Sequence, residues 1–172
     1  VGIIPAVGVG TAAVTVAGVA YGARNYDKIK TTVRYAVKIG FIVSLITCLL
    51  IHFFAGQIAY IFSYSSTSAA LAPLITDFLK IMCLFVLFVP FGATAGNVFQ
   101  GLGKGTISLV LTTFRELILV LIFACLLGLV FNMGEIGVYI GMLIGGLIGS
   151  VIAYGIIEIY VKRLIRRNQN GN

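Results

Sequence analysis

The sequence has 172 residues, of which 60% are hydrophobic and 10% are charged, and its mean hydropathy is +1.11. Water-soluble domains carry about 25% charged residues, so this composition excludes an ordinary soluble domain and indicates a protein of the lipid bilayer. The net charge of +7 would also suit a nucleic-acid partner, but the positions of the basic residues argue against that class of ligand.

Five long apolar stretches follow one another along the chain. Because a helix rises about 1.5 Å per residue, roughly 20 apolar residues cross a bilayer. We therefore predict an all-α integral membrane protein with five transmembrane helices, at about 1–23, 39–62, 73–100, 107–131 and 138–161. Residues 1–165 are predicted to form one transmembrane lobe, and residues 166–172 a basic cytoplasmic tail.

The breaks between these stretches are small and polar. We predict loops at Ser63–Ala72 and at Asn132–Gly137, and we expect Pro5 and Pro90 to interrupt their helices. The chain opens on Val1 within an apolar run, without Met and without the features of a signal peptide. This beginning suggests a piece of a longer protein.

The basic residues collect on one side of the membrane if the chain crosses it five times. That side holds Arg24, Lys28, Lys30, Arg34, Lys38, Lys104, Lys162, Arg163, Arg166 and Arg167. The opposite side holds Lys80, one helical turn from Asp77. Since basic loops stay in the cytoplasm, we predict a multi-pass protein of the plasma membrane with an external N-terminus and a cytoplasmic C-terminus.

This distribution also indicates the partner of the basic residues. They lie next to the membrane, where anionic lipid headgroups would meet them, so we predict membrane lipids and no nucleic acid as partners. The segment Arg24–Lys38 could run as a short helix along the membrane surface, or it could be a solvated loop that only sets the topology. Both alternatives remain open at the level of the sequence.

The glycine-rich segment FQGLGKGT (Phe99–Thr106) raises the question of a phosphate-binding loop. Such a loop requires the spacing G-x-x-x-x-G-K-[ST] between a strand and a helix, whereas this segment has a different spacing and joins two apolar helices. We predict instead that its glycines end one helix and turn the chain into the next.

The fourth helix carries two adjacent ionisable residues, Arg115 and Glu116. The apolar run after them is too short to span a bilayer, so the helix must include them about 12–14 Å from its cytoplasmic start. Neighbouring residues of a helix point about 100° apart, so we predict that the two side chains do not neutralise each other. Each then needs a partner on another helix, with Asn97 and Gln100 as candidates, and Arg115 is expected to link two helices.

Other reactive residue types are sparse. Cys48, Cys83 and Cys125 lie in apolar runs without CxxC spacing and are predicted to be small buried hydrophobic residues. His52 is the only histidine, which excludes a histidine-rich metal site. No nucleophile–base pair or carboxylate pair can be assembled, so we predict neither an enzyme nor a cofactor or metal site.

The last helix carries a row of small residues at Gly141, Gly145 and Gly149. Rows of this spacing let helix backbones approach closely in lipid, so we predict tight packing here, with a sliding surface as the alternative. Farther along the helix, Glu158 is expected to pair with Lys162 at i,i+4 spacing.

Several segments together resemble one family of transporters. FQGLGKGTISLVLTTFRELILVLIFACLL (Phe99–Leu127) resembles the Q-x-L-G-K…R segment between the fourth and fifth helices of each half of a multidrug and toxic compound extrusion (MATE) transporter. The motif residues are Gln100, Gly101, Gly103, Lys104 and Arg115. Pro5–Ala36 is similar to the second-helix segment of that family, YIFSYSS to the exit of its third helix, and GEIGVYIGMLIGG to the start of its sixth, with Tyr139 in place of the usual Trp.

The resemblance implies a fold and a function. MATE transporters have twelve helices in two lobes, and this chain would be the C-terminal lobe without its first helix. The implied function is efflux of amphipathic, often cationic drugs or metabolites by alternating access, coupled to H⁺ or Na⁺ antiport. The remainder of the protein, a missing N-terminal lobe, would be a partner of this lobe and would carry the coupling carboxylate.

The candidate residues for the substrate cavity are Asn97, Gln100, Thr112, Arg115 and Glu116. Two other functions are compatible with the same topology. A lipid-linked oligosaccharide flippase of the same superfamily would need several cations in its cavity, and here Arg115 is the only deep one. A membrane subunit without transport activity would suit the small number of deep polar residues.

Overall fold

The computed structural model describes residues 4–62, 72–131 and 134–170, which form an all-α bundle. Its five helices are α1 (Ile4–Gly22), α2 (Tyr26–Phe62), α3 (Ala72–Gly101), α4 (Gly105–Val130) and α5 (Gly134–Asn170). The predicted all-α architecture with five helices is confirmed.

Four of these helices, α2 to α5, are long and apolar enough to cross a membrane. The apolar part of α1 over the same described residues is shorter, Gly8–Gly22. A multi-pass membrane protein is thereby established, while a fifth crossing by α1 stays a prediction.

The basic segment Arg24–Lys38 is neither a separate short helix nor a loop, so both alternatives from the sequence were wrong in this respect. After a short turn it forms the first part of α2, which continues without a break to Phe62. Asn25 begins this helix, because its Oδ1 accepts a hydrogen bond of 3.1 Å from the backbone N–H of Lys28. Ile29 and Val33 are buried in the bundle, so this segment packs against the other helices.

Two turns between helices use the same hydrogen-bond pattern. In the α3–α4 turn Gly103 has a φ of 71°, and the backbone N–H of Lys104 donates to the carbonyl oxygen of Phe99 at 2.9 Å. The α1–α2 turn repeats this pattern with Arg24 at a φ of 54°, in the left-handed position that glycine usually occupies. The predicted glycine turn is confirmed, and the second turn was not foreseen because an arginine fills its glycine position.

The hydrophobic core lies toward one end of the bundle, where α1, α2, α3 and α5 meet. Its largest fully buried side chains include Phe99, Ile29, Ile157 and Val161. The rings of Phe99 and Tyr160 pack at 5.3 Å between centroids and tie α3 to α5. Most side chains of α4 are exposed, so α4 packs at the margin of the bundle.

The expected interruption at Pro90 is wrong, because α3 runs continuously from Ala72 to Gly101. A membrane helix can carry a proline when a neighbouring helix packs against the break. Gly40 of α2 provides that contact, since a Cβ at this position would lie 2.8 Å from the Cβ of Pro90. Pro5 lies in the first described turn of α1.

The two predicted loops lie largely outside the described residues, and the predicted tail begins as helix. Residues 63–71 and 132–133 lie outside the described part of the chain, and α5 begins at Gly134, within the predicted turn. The same helix extends to Asn170, so residues 166–170 of the predicted tail are helical.

The cysteines differ from the prediction of three buried hydrophobic residues. Cys48 of α2 and Cys83 of α3 form a disulfide with their Cα atoms 5.0 Å apart. Cys83 is buried as predicted, but Cys125 is exposed on α4. Because α2 packs against α3, Cys48 and Cys83 lie next to each other. Their positions in the sequence do not reveal this contact.

Candidate functional site

The three basic segments lie at one end of the bundle. Nζ of Lys104, in the α3–α4 turn, lies 5.8 Å from the ring centre of Tyr160 on α5. The α1–α2 turn and the last turns of α5 line a shared polar cleft of about 250 Å³. The up-and-down course of the helices therefore gathers the basic residues that the sequence assigns to one side.

Arg115 is buried at a junction of three helices, with 7% of its surface exposed. Two glycines make room for it, because a Cβ at Gly92 of α3 would overlap its guanidinium and one at Gly149 of α5 would overlap its side-chain stem. Arg115 therefore links α4 to α3 and α5, as expected for a residue that joins helices. Sequence reasoning had identified Gly149 in the glycine row but missed Gly92, which has no spacing signal.

Arg115 and Glu116 pair with each other, which corrects the prediction that they do not. Nη2 of Arg115 donates to Oε1 of Glu116. Both residues lie in a π-helical segment, Phe114–Leu119, within α4. A π-helix winds more loosely than an α-helix, so neighbouring side chains diverge by less than 100° and the long arginine side chain can reach across.

The pair lies at the edge of the bundle rather than inside it. The Glu116 side chain is 43% exposed, whereas the Arg115 side chain is 9% exposed. Nη1 of Arg115 is buried, and no hydrogen-bond acceptor among residues 4–62, 72–131 and 134–170 reaches it. The geometry places a fixed cation behind a carboxylate that faces outward.

Asn97 and Gln100 do not meet Arg115 or Glu116 as partners, so that prediction is wrong. Asn97 faces α1, because a Cβ at Gly10 would overlap its amide group. Gln100 is exposed near the end of α3. The packing of α1 against α3 draws Asn97 to a different interface.

Thr112 lies one turn before the ion pair. It is exposed, and its Oγ1 would lie 3.3 Å from a Cβ at Gly96 of α3. One turn earlier, Ser108 is buried and its Oγ donates to the carbonyl oxygen of Gly96 at 2.8 Å. The sequence analysis missed Ser108, although its spacing of seven residues from Arg115 places both on one face of α4.

The glycine row of α5 packs against the backbone of α4, as predicted. A Cβ at Gly141 would lie 2.6 Å from the Cα of Ala124, and one at Gly145 would lie 2.8 Å from the carbonyl oxygen of Leu119. Gly146, on a neighbouring face, accommodates the ring of Phe85 from α3. The Glu158–Lys162 ion pair is also present, at 3.1 Å.

Metal-ligating residues are scattered over the bundle. Within the described ranges, no group of three or more His, Cys, Asp or Glu residues could hold a metal ion.

The MatE family description matches residues 1–126 of the chain. The chain belongs to the MATE family. This membership confirms the resemblance seen in the sequence and the prediction that the protein is not an enzyme. No curated protein sequence matches the chain.

Solved MATE structures share its fold. An inward-facing multidrug resistance MATE transporter of the MOP superfamily is 34% identical, with a TM-score of 0.92 over 96% of this chain and 38% of that one. An outward-facing structure of a multidrug resistance MATE transporter is 36% identical, with a TM-score of 0.92 over 96% and 36%. A MATE protein in complex with MaL6 is 34% identical, with a TM-score of 0.93 over 96% and 37%.

The chain spans 36–38% of the length of these three structures.

Proposed function

We propose that this chain is the C-terminal lobe of a transporter that exports amphipathic, often cationic drugs or metabolites across the plasma membrane by alternating access. The observation that carries the proposal is the equal TM-score of 0.92 against an inward-facing and an outward-facing MATE transporter. This equal similarity to both states supports a lobe that moves as a unit during alternating access.

The packing of the lobe supports movement as a rigid body. The glycine row holds α4 and α5 at backbone contact, and the Cys48–Cys83 disulfide joins α2 to α3. Closely packed interiors transmit displacement rather than absorb it. Substrate access would then change at the contact with the rest of the protein, not within this lobe.

The exposed polar groups of the lobe are the proposed cavity-lining residues. Glu116, Thr112 and Gln100 are exposed, so they could meet a substrate between the lobes. Arg115 is buried behind Glu116, and we assign it the role of positioning that carboxylate. Asn97 packs against α1, so we propose that it affects the cavity indirectly, by holding α3 and α1 together.

The flippase alternative is weaker for a geometric reason. A flippase cavity needs cations that face a pyrophosphate, and the deep cation of this chain, Arg115, points into the α3–α5 junction.

MATE homologues bind small-molecule ligands, which agrees with drug or metabolite efflux. Coupling to H⁺ or Na⁺ is proposed to depend on carboxylates in the rest of the transporter.

Efflux is tested with the full-length protein in proteoliposomes. We expect an imposed H⁺ or Na⁺ gradient to drive ethidium across the vesicle membrane faster than in protein-free vesicles. Reversing the gradient should reverse the direction of dye movement. Equal dye movement in both kinds of vesicle, under either ion gradient and for a panel of cationic dyes, would contradict the proposal.

We also propose that the basic end of the lobe faces the cytoplasm, because basic residues flank membrane helices on that side. In full-length protein with all its cysteines replaced by alanine, Cys48, Cys83 and Cys125 included, the matched variants are Gly105→Cys and Glu135→Cys, both at exposed positions at opposite ends. A membrane-impermeant maleimide should label Glu135→Cys in intact cells and Gly105→Cys only after permeabilisation. The reverse pattern would overturn this orientation.

A further inference from the structure

A groove rich in arginine lies on one face of α5 at the basic end. This arginine groove has a volume of about 370 Å³ and is lined by Tyr160, Arg163, Leu164, Arg166 and Arg167. Its three arginines are exposed. Lys104 adds a cation beside it, with Nζ 5.8 Å from the ring centre of Tyr160.

The charge of the groove is not neutralised by neighbouring carboxylates. Two ion pairs occur in the described part of the chain, Arg115–Glu116 and Lys162–Glu158, and neither includes an arginine of the groove. Each guanidinium presents its donors in a flat fork that matches the oxygens of a phosphate. The groove is therefore suited to bind an anion with several acceptor oxygens.

The depth of the groove matches the headgroup layer of a bilayer. Tyr160 stands at the end of the apolar stretch of α5, where aromatic residues mark the membrane interface. Arg163 and Arg167 lie one and two turns farther along the helix, about 4.5 and about 10.5 Å from Tyr160. The headgroup layer on each side of a bilayer is about 5–8 Å thick, so Arg163 lies within it. The Cα of Arg167 lies beyond the layer, and its long side chain, which leans toward the N-terminus of α5, reaches back to the level of the lipid phosphates.

We propose that the arginine groove binds a phosphate-bearing anion, and that its source is the phosphodiester headgroup of an anionic phospholipid. The Tyr160 ring would contact the glycerol region while the arginines hold the phosphate. A zwitterionic headgroup would be disfavoured, because its quaternary ammonium group would meet the same cations. The proposal is independent of efflux activity.

The test uses the full-length protein, delipidated in detergent, and native mass spectrometry with dioleoyl-phosphatidylglycerol or dioleoyl-phosphatidylcholine as the probe. We expect phosphatidylglycerol to bind more tightly. Arg163→Gln, Arg166→Gln and Arg167→Gln together should weaken its binding by about 100-fold, about fivefold per arginine, with little effect on phosphatidylcholine.

The control removes the same charge from the neighbouring α1–α2 turn and the start of α2, by Arg24→Gln, Lys28→Gln and Arg34→Gln at exposed positions. Equal weakening by both triple variants, or none by the arginine variant, would overturn the proposal. Glycerol 3-phosphate distinguishes the two sources of phosphate. If it displaces the lipid at comparable concentration, the groove is a site for a soluble anion and the lipid assignment is overturned, whereas no displacement supports the lipid.

Discussion

Replacing Gly141 with alanine is expected to lower the stability of the protein by about 1–3 kcal/mol, because the new methyl group would overpack the α4–α5 interface. It would lie 2.6 Å from the Cα of Ala124, and backbone atoms cannot rotate away as a side chain can. The measurement is the thermal unfolding temperature of the full-length protein in mild detergent. Gly141→Leu should have a larger effect and should reduce the yield of folded protein.

Gly155 provides the matched control on the same helix. A Cβ at Gly155 would meet no atom within 4 Å, so Gly155→Ala adds the same methyl group without a collision. It should be neutral or stabilising by up to about 1 kcal/mol, since alanine favours a helix more than glycine does. Equal unfolding temperatures for the two variants would refute the close approach of α4 and α5.

Replacing Arg115 with alanine should destabilise the lobe by about 2–5 kcal/mol, mainly by leaving a cavity between α3, α4 and α5. The loss of the ion pair would contribute less, because Glu116 is 43% exposed and solvent screens the interaction. The measurement is again thermal unfolding in detergent, combined with the efflux assay in proteoliposomes.

Arg115→Met separates packing from charge. Methionine fills much of the same volume without burying an unpaired Nη1. Arg115→Met should therefore lower the free energy of unfolding by less than about 1.5 kcal/mol. Efflux should nevertheless fall, because Glu116 loses the cation that positions it. Normal efflux by Arg115→Met would limit Arg115 to a packing role, and destabilisation as large as that of Arg115→Ala would mean that the charge itself holds the helices.

Much of the fold could be predicted because it depends on the order of apolar, basic and small residues along the chain. The lengths of the apolar runs fixed the number of helices, and the positions of Lys and Arg indicated which turns share an end. The glycine row on α5 predicted a close helix contact, since residues four apart lie on one face. The motif around Gly103 and Lys104 indicated the family, whose membership the comparison with known proteins confirms.

The details of the candidate site required knowledge of which helix faces which. The space for Arg115 depends on Gly92, a residue on another helix whose role no local pattern reveals. The pairing of Arg115 with Glu116 depends on a π-helical segment of α4, whereas the prediction assumed regular α-helix geometry. Asn97 contacts α1 because α1 packs against α3. Cys48 bonds to Cys83 because α2 packs against α3.

The sequence by itself therefore determined the class of protein, the helix count and the one-sided charge, because hydropathy and charge act on each segment separately. Only the tertiary structure decided the interior contacts of Arg115, the exposure of Glu116 and the shape of the arginine groove. Those features depend on the rotation of each helix about its axis. That rotation is set jointly by all the neighbours that a helix packs against.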